Sequence, residues 1–204
     1  MLFRSLSAEP YRARFPWERV HFYQVDERWV PPADPRNNRR MLQETLFSRA
    51  ALPESNVHCI NTGFSGPSVG ARRYEEALRA VFPVPPGGFP RFDAILLGIG
   101  KDGHTASLFP GRPETAVRNA WVVASEGGEP PVSRVTLTLP VLSAAAQVLF
   151  LVSGAEKARA LYSVLSGDPA FPASQVSPAR GKVTFLADEA AASLAVRKDG
   201  GGRR

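Results

Sequence analysis

At 204 residues, 44% hydrophobic and 22% charged, the chain has a globular composition and is long enough for one sizeable domain. No run approaches the roughly 18 apolar residues of a membrane-spanning helix, Arg4 sits too early for a secretory apolar core, and the lone Cys59 excludes an intramolecular disulfide, so a reducing cytoplasm fits best. The net charge is +6, but the last eight residues carry four basic groups and one acidic; the +3 left for the body argues weakly for nucleic acid and leaves room for an anionic small substrate.

Residues 2–15 read as a surface helix that Pro10 interrupts. A strand follows at 20–25 and runs into the segment YQVDERWVPPADPRNN, with a helix at 39–46. NVHCIN at 56–61 has strand character, and a longer helix covers 68–82 before the loop PVPPGGFP. Short apolar runs at 93–97, 120–124, 135–139, 148–152 and 183–186 read as further strands, with helices at 156–165 and 189–196. Several of these runs are apolar on both faces, as in a sheet covered on both sides. The alternation predicts one α/β domain over residues 1–196, three layers deep around a largely parallel sheet, and a disordered basic tail at 197–204.

The segment FDAILLGIGKDGHTASLFPG carries the most chemistry: a buried strand meets three glycines and then a histidine. Glycine allows close backbone approach and positive φ, and sites in open α/β sheets lie beyond the carboxyl ends of strands, which places His104, flanked by Lys101 and Asp102, where catalysis is expected. Gly98, Gly100 and Gly103 with Glu126 also spell a dinucleotide fingerprint, but Pro110, Gly111 and Pro113 break the helix that it needs, so no nicotinamide cofactor is expected. Asp26, Glu27 and Arg28 cluster at a strand end; they can orient a base, bind sugar hydroxyls or simply fix the proline-rich loop, and chemistry alone leaves these readings even. Arg134, at the mouth of a strand, is a plausible phosphate ligand, although a surface arginine is the commoner explanation. His21 and His58 read as structural. The three histidines form no metal-ligand spacing, and Ser107 lacks the GxSxG elbow of acyl-serine hydrolases, so neither a metal nor a covalent serine is implied.

Taken together, VDERWVP, DAILLGIGKDGHTASLFPG, RVTLTLPVL, LFLVSGAEKARAL and FLADEAAASL resemble the 6-phosphogluconolactonase family from about residue 15 to 196. The resemblance implies a Rossmann-like α/β sandwich shared with glucosamine-6-phosphate deaminases, and cofactor-free hydrolysis of 6-phospho-D-glucono-1,5-lactone to 6-phospho-D-gluconate; a cytoplasmic monomer is expected. It casts His104 as the general base that draws a proton from water, with Asp102 orienting it. Asp26 and Arg28 would line the same pocket, Arg134 would hold the phosphate, and Gly98, Gly100, Lys101, Gly103 and Asn38 would contact substrate. Asn37-Asn38 stands where the family has Ser-Asn. Family members also begin with a strand, a helix and a GGSTP-like phosphate loop; nothing like that loop precedes Val20, so a few tens of residues, and with them part of the phosphate site and a central strand, are expected to be lacking. Three rival readings remain. A deaminase would continue the histidine motif as Ile-Ala-Phe-Asn-Glu-Pro, where this chain has Thr105-Ala106-Ser107-Leu108-Phe109-Pro110. A non-catalytic phosphosugar-binding module and a nucleic-acid binder acting through the tail are the others.

Overall fold

The computed structural model describes residues 2–195; the expected basic tail and the last position of the final helix lie outside the described residues. Among the described residues, eight strands form three sheets. In chain order they are β1 (Phe22–Tyr23), β2 (Asp26–Arg28), β3 (Val57–His58), β4 (Ile95–Leu97), β5 (Val122–Gly127), β6 (Val132–Leu137), β7 (Gln147–Val152) and β8 (Lys182–Ala187). β1 pairs in parallel with β3, and β4, β7 and β8 make a parallel sheet in that order. The third sheet, β2-β6-β5, is antiparallel.

The two parallel sheets fit the expected largely parallel α/β arrangement, and the runs at 120–124 and 135–139 contribute the antiparallel part of it. Residues 128–131 are all that join β5 to β6, with Gly128 at φ 94. A parallel crossover needs a dozen residues or more, so this link can close only an antiparallel hairpin. The strand read at 20–25 also divides. Gln24 N donates to His58 O at 3.2 Å, continuing the β1–β3 ladder, while Val25 O accepts from Leu137 N at 2.9 Å. The chain therefore changes sheets between Gln24 and Val25, immediately before Asp26.

Helices α1 (Leu2–Leu6) and α2 (Tyr11–Arg14) flank Pro10 as the sequence suggests. α3 (Asn38–Leu42) starts at Asn37, whose side chain accepts from Arg40 N at 2.9 Å, and continues as a π-helical turn over Gln43–Phe47. α4 (Pro67–Val81) buries Gly70, Ala71, Tyr74 and Leu78, residues spaced to share one helical face. The Trp29 ring lies against Gly70, and the Tyr74 hydroxyl donates to Gln24 O at 2.9 Å, so α4 fixes both ends of the β1–β2 segment. α5 (Leu139–Leu142), α6 (Ala158–Leu165) and α7 (Glu189–Ala192) follow, the last capped by the Asp188 side chain. One apolar core joins α4, the strands and α6 through Leu78, Leu97, Trp121, Val135, Phe150 and Leu161. Among the described residues no helix is long and apolar enough to cross a membrane.

Candidate functional site

Beyond the carboxyl end of β4 the chain folds into a compact knot. Gly98 O accepts from Thr105 Oγ1 at 2.9 Å, Gly100 N donates to His104 O at 2.8 Å, and Gly103 N donates to Gly100 O at 3.0 Å. Glycine is required twice. A side chain at position 100 would overlap the His104 ring, and Gly103 holds φ 82 with the Phe171 ring pressed against its α-carbon. The knot sets Asp102 Oδ1 2.6 Å from His104 Nδ1, and the same oxygen accepts from His104 N at 3.2 Å. Partial burial raises the Asp102 pKa, but the His104 backbone N–H and imidazole outweigh it and hold the carboxyl below its ordinary value, so Asp102 is ionised at neutral pH. An ionised acceptor at Nδ1 keeps the proton on that nitrogen and leaves Nε2 with a free lone pair.

Downstream, Ala106 adopts φ 51, the one positive φ at a non-glycine position among the described residues. A left-handed alanine costs roughly 1–2 kcal/mol, and here it turns the fully buried Ser107 toward the antiparallel sheet. Ser107 Oγ donates to Asp26 Oδ2 at 2.6 Å, Ser107 N donates to Thr136 Oγ1 at 3.2 Å, and Arg134 Nη1 donates to Ser107 Oγ at 3.4 Å. Three contacts thus tie the histidine loop to β2 and β6.

On that sheet Asp26 sits opposite Thr136, and Arg28 sits directly opposite Arg134. Arg28 Nη1 donates to Asn38 Oδ1 at 2.9 Å and to Arg36 O at 2.8 Å. Arg134 is 8% exposed; its Nε donates to Gly127 O at 3.2 Å, and its guanidinium lies 5.3 Å from the centre of the Phe109 ring. The His104 ring lies 4.5 Å from the same phenyl ring. Burial, then the neighbouring Arg28 charge, lower the Arg134 pKa against the opposing pull of Asp26 and Glu27.

These groups open on one pocket of about 270 Å³. Asp26, Arg28 and Asn38 line it from β2 and α3, Gly98, Gly100 and His104 from the loop, and Arg134 from β6. Asp102 reaches it through His104. Lys101 is exposed and Gly103 is buried with the Phe171 ring against its α-carbon; neither lines the pocket. Lys157 does line it, from the residue before α6, and the sequence reading did not single it out. Its signal is a lysine in SGAEKARAL, just past the carboxyl end of a strand, as His104 is. His21 and His58 bond each other at 3.0 Å across β1 and β3 and do not line the pocket. A larger open groove of about 600 Å³ runs between α4 and β5, but its Arg79 is engaged by Glu75 at 2.7 Å and it contains no histidine. Among the described residues no three His, Cys, Asp or Glu side chains are grouped to hold a metal ion.

An Asp–His pair and two arginines thus meet at one pocket of an α/β fold. The sequence matches the family described as glucosamine-6-phosphate isomerases/6-phosphogluconolactonase over residues 1–185, and the chain belongs to that family. It is 37% identical to the 6-phosphogluconolactonase of Nostoc sp. over 93% of this chain and 78% of that protein. The 6-phosphogluconolactonase of Haemophilus influenzae is 36% identical, over 95% of this chain and 82% of its own length. Among solved structures, 6-phosphogluconolactonase from Thermotoga maritima superposes with a TM-score of 0.78 at 35% identity, over 92% of this chain and 79% of that one. A monomeric glucosamine-6-phosphate deaminase, at 22% identity and a TM-score of 0.77, shares the fold.

Proposed function

We propose that this protein hydrolyses 6-phospho-D-glucono-1,5-lactone to 6-phospho-D-gluconate, the second step of the oxidative pentose phosphate pathway, by general-base activation of water. The observation that carries the reading is the placement of Arg28 opposite Arg134 beside the Asp102–His104 pair. Like charges directly opposite each other destabilise an antiparallel pair, and burying one of them adds to the cost. A local violation of this kind is expected where an anionic ligand is the missing partner.

In this mechanism His104 Nε2 removes a proton from water as the water oxygen attacks the lactone carbonyl. Asp102 stabilises the imidazolium that forms. The tetrahedral oxyanion collapses with cleavage of the bond to the ring oxygen, which takes the proton from His104 and becomes the free hydroxyl. A lactone is an activated ester, so an oriented base and nearby positive charge suffice, without a covalent enzyme intermediate. Arg134 holds the phosphate, Lys157 adds positive charge to the same pocket, and Asp26, Arg28 and Asn38 orient the sugar ring. The same reading takes the enzyme as monomeric and cytoplasmic.

The test is hydrolysis of freshly generated lactone by the wild-type chain, by His104→Ala and by buffer alone, since the lactone also opens spontaneously. Replacing the base is expected to slow enzymatic turnover by about a hundredfold or more. Near wild-type turnover in the variant would sink the assignment of His104, and ammonia release from glucosamine 6-phosphate without lactone turnover would move the chain to the deaminase branch.

A further inference from the structure

Glu27 is fully buried, yet no cation pairs with it among its hydrogen-bond partners. Its carboxylate accepts four bonds. Oε1 accepts from Arg28 N at 2.8 Å and Asn38 N at 2.7 Å, and Oε2 accepts from Arg39 N at 2.8 Å and Gln24 Nε2 at 2.9 Å. Two carboxylate oxygens have about four acceptor positions, so the group is saturated. Gln24, itself 5% exposed, uses its Oε1 to accept from Ile60 N at 2.8 Å, which extends the network to the chain beyond β3.

The pleat explains the division of labour within Asp26-Glu27-Arg28. Successive strand side chains point to opposite faces, so Asp26 and Arg28 turn to the pocket while Glu27 turns inward. From there it grips the start of α3 and so sets the position of Asn38. The Asn38 side chain in turn donates from Nδ2 to Asp26 O at 3.2 Å and accepts from Arg28 Nη1 at 2.9 Å. Burying a carboxylate costs several kcal/mol unless every lone pair is bonded, and an apolar side chain of similar size would fill this space without that cost. The geometry points to what the apolar residue could not do, which is to hold two successive helix-start N–H groups at a fixed distance from β2.

We propose that Glu27 is a positioning residue of the lactonase site, acting through Asn38 on Arg28. The proposal rests on the function proposed above, and it assigns the proline-rich segment between β2 and α3 the role of a strap whose far end is locked by one carboxylate. Removing the lock leaves Asp26 and Arg28 in the sheet but frees Asn38 and the arginine tip.

The experiment is a double-mutant cycle between Glu27→Gln and Asn38→Ala, reading kcat and KM on freshly generated 6-phosphogluconolactone and the affinity for 6-phosphogluconate by calorimetric titration. Thermal melts establish that each variant is folded at the assay temperature. Glu27→Gln is expected to lower kcat/KM by about tenfold or more, as misplacement of an orienting group does. Adding Asn38→Ala should then cost less than about twofold, although alone it costs several-fold, because both changes release the same contact. A folded Glu27→Gln with wild-type kcat/KM, or losses that multiply in full, overturns the proposal. If Glu27→Gln does not fold, Gln24→Met, which removes one of the four donors, takes its place in the cycle; failure of that variant to fold as well makes Glu27 a folding residue and overturns the proposal too. A wild-type chain that binds 6-phosphogluconate without hydrolysing the lactone overturns the lactonase reading alone, and the affinities then decide the cycle.

Discussion

The parallel sheet β4-β7-β8 and the antiparallel sheet β2-β6-β5 bury side chains of opposite character. In the first, Ile95, Leu97, Val148, Phe150 and Val152 are all nearly inaccessible and all apolar. In the second, Glu27, Arg134 and Thr136 are as deeply buried, beside Val122, Val135 and Leu137. Apolar burial is non-directional and roughly proportional to area, at about 25 cal/mol per Å², so one hydrophobic side chain can stand in for another. Polar burial is favourable only when each atom meets a partner, and each such bond fixes a direction. The parallel sheet supplies stability and ends at the glycine knot; the antiparallel sheet supplies geometry. Ser107, bonded to Asp26 and approached by Arg134, is where the two meet.

The division is broken most severely by cutting into the parallel sheet. Phe150 is fully buried and stacks on Phe185 at 4.9 Å between ring centres. Phe150→Ala should lower unfolding free energy by about 3–5 kcal/mol in denaturant titrations, while kcat/KM per folded molecule stays within about twofold of wild type. A folded variant that has lost most of its activity would show that the scaffold and the site are not separable. The complementary cut is Arg134→Ala. If the guanidinium holds the phosphate, KM for the phosphorylated lactone should rise by about tenfold or more, and KM for unphosphorylated gluconolactone should barely change. Equal effects on the two substrates would leave Arg134 as a strut between Gly127 and Ser107.

The same contrast decides what could be read from the sequence. The parallel strands were legible because they are apolar runs: those at 93–97, 148–152 and 183–186 correspond to Ile95–Leu97, Gln147–Val152 and Lys182–Ala187. The antiparallel strands are expected at 120–124 and 135–139 and lie at Val122–Gly127 and Val132–Leu137, because the polar residues Ser125, Arg134 and Thr136 are buried in them and an apolar run does not mark their bounds. For Arg134 the commoner reading from sequence is a surface arginine, whereas the folded chain buries it. Within the site, Asp102 and His104 are two positions apart and their pairing was visible as a motif. Ser107 and Asp26 are 81 positions apart, so their bond exists only after folding. The sequence tests Ser107 only as a nucleophile, whereas in the fold it ties the histidine loop to Asp26 and Arg134. The sequence leaves Glu27 open between several roles, since composition cannot show that three of its four partners are backbone N–H groups. In the proline-rich loop itself the carboxylate–arginine pair is Asp34 with Arg36, at 2.8 Å.

Cys59 offers the mildest probe of the polar side of this comparison, because it lies between His58 of β3 and Ile60, whose N–H joins the Gln24 network. Burial pushes its thiol up to about 11 from an ordinary 9.0, with the Arg39 charge pulling it down and the Glu27 charge pushing it further up. At pH 8 the folded protein should therefore react with iodoacetamide about a hundredfold more slowly than the unfolded chain, in proportion to its thiolate fraction. The sign of the stability effect follows. The folded state holds the thiol proton more tightly, so the unfolded chain releases it first, and stability falls as pH rises from about 9 toward 11. Melting temperatures of wild type and Cys59→Ser should differ by a constant amount below about pH 8 and shift against the wild type above it. Glu27→Gln, by removing the negative charge, should lower the thiol pKa and speed alkylation. An unchanged alkylation rate in that variant would place the thiol outside the electrostatic reach of Glu27 and narrow the polar network to the atoms that are directly bonded.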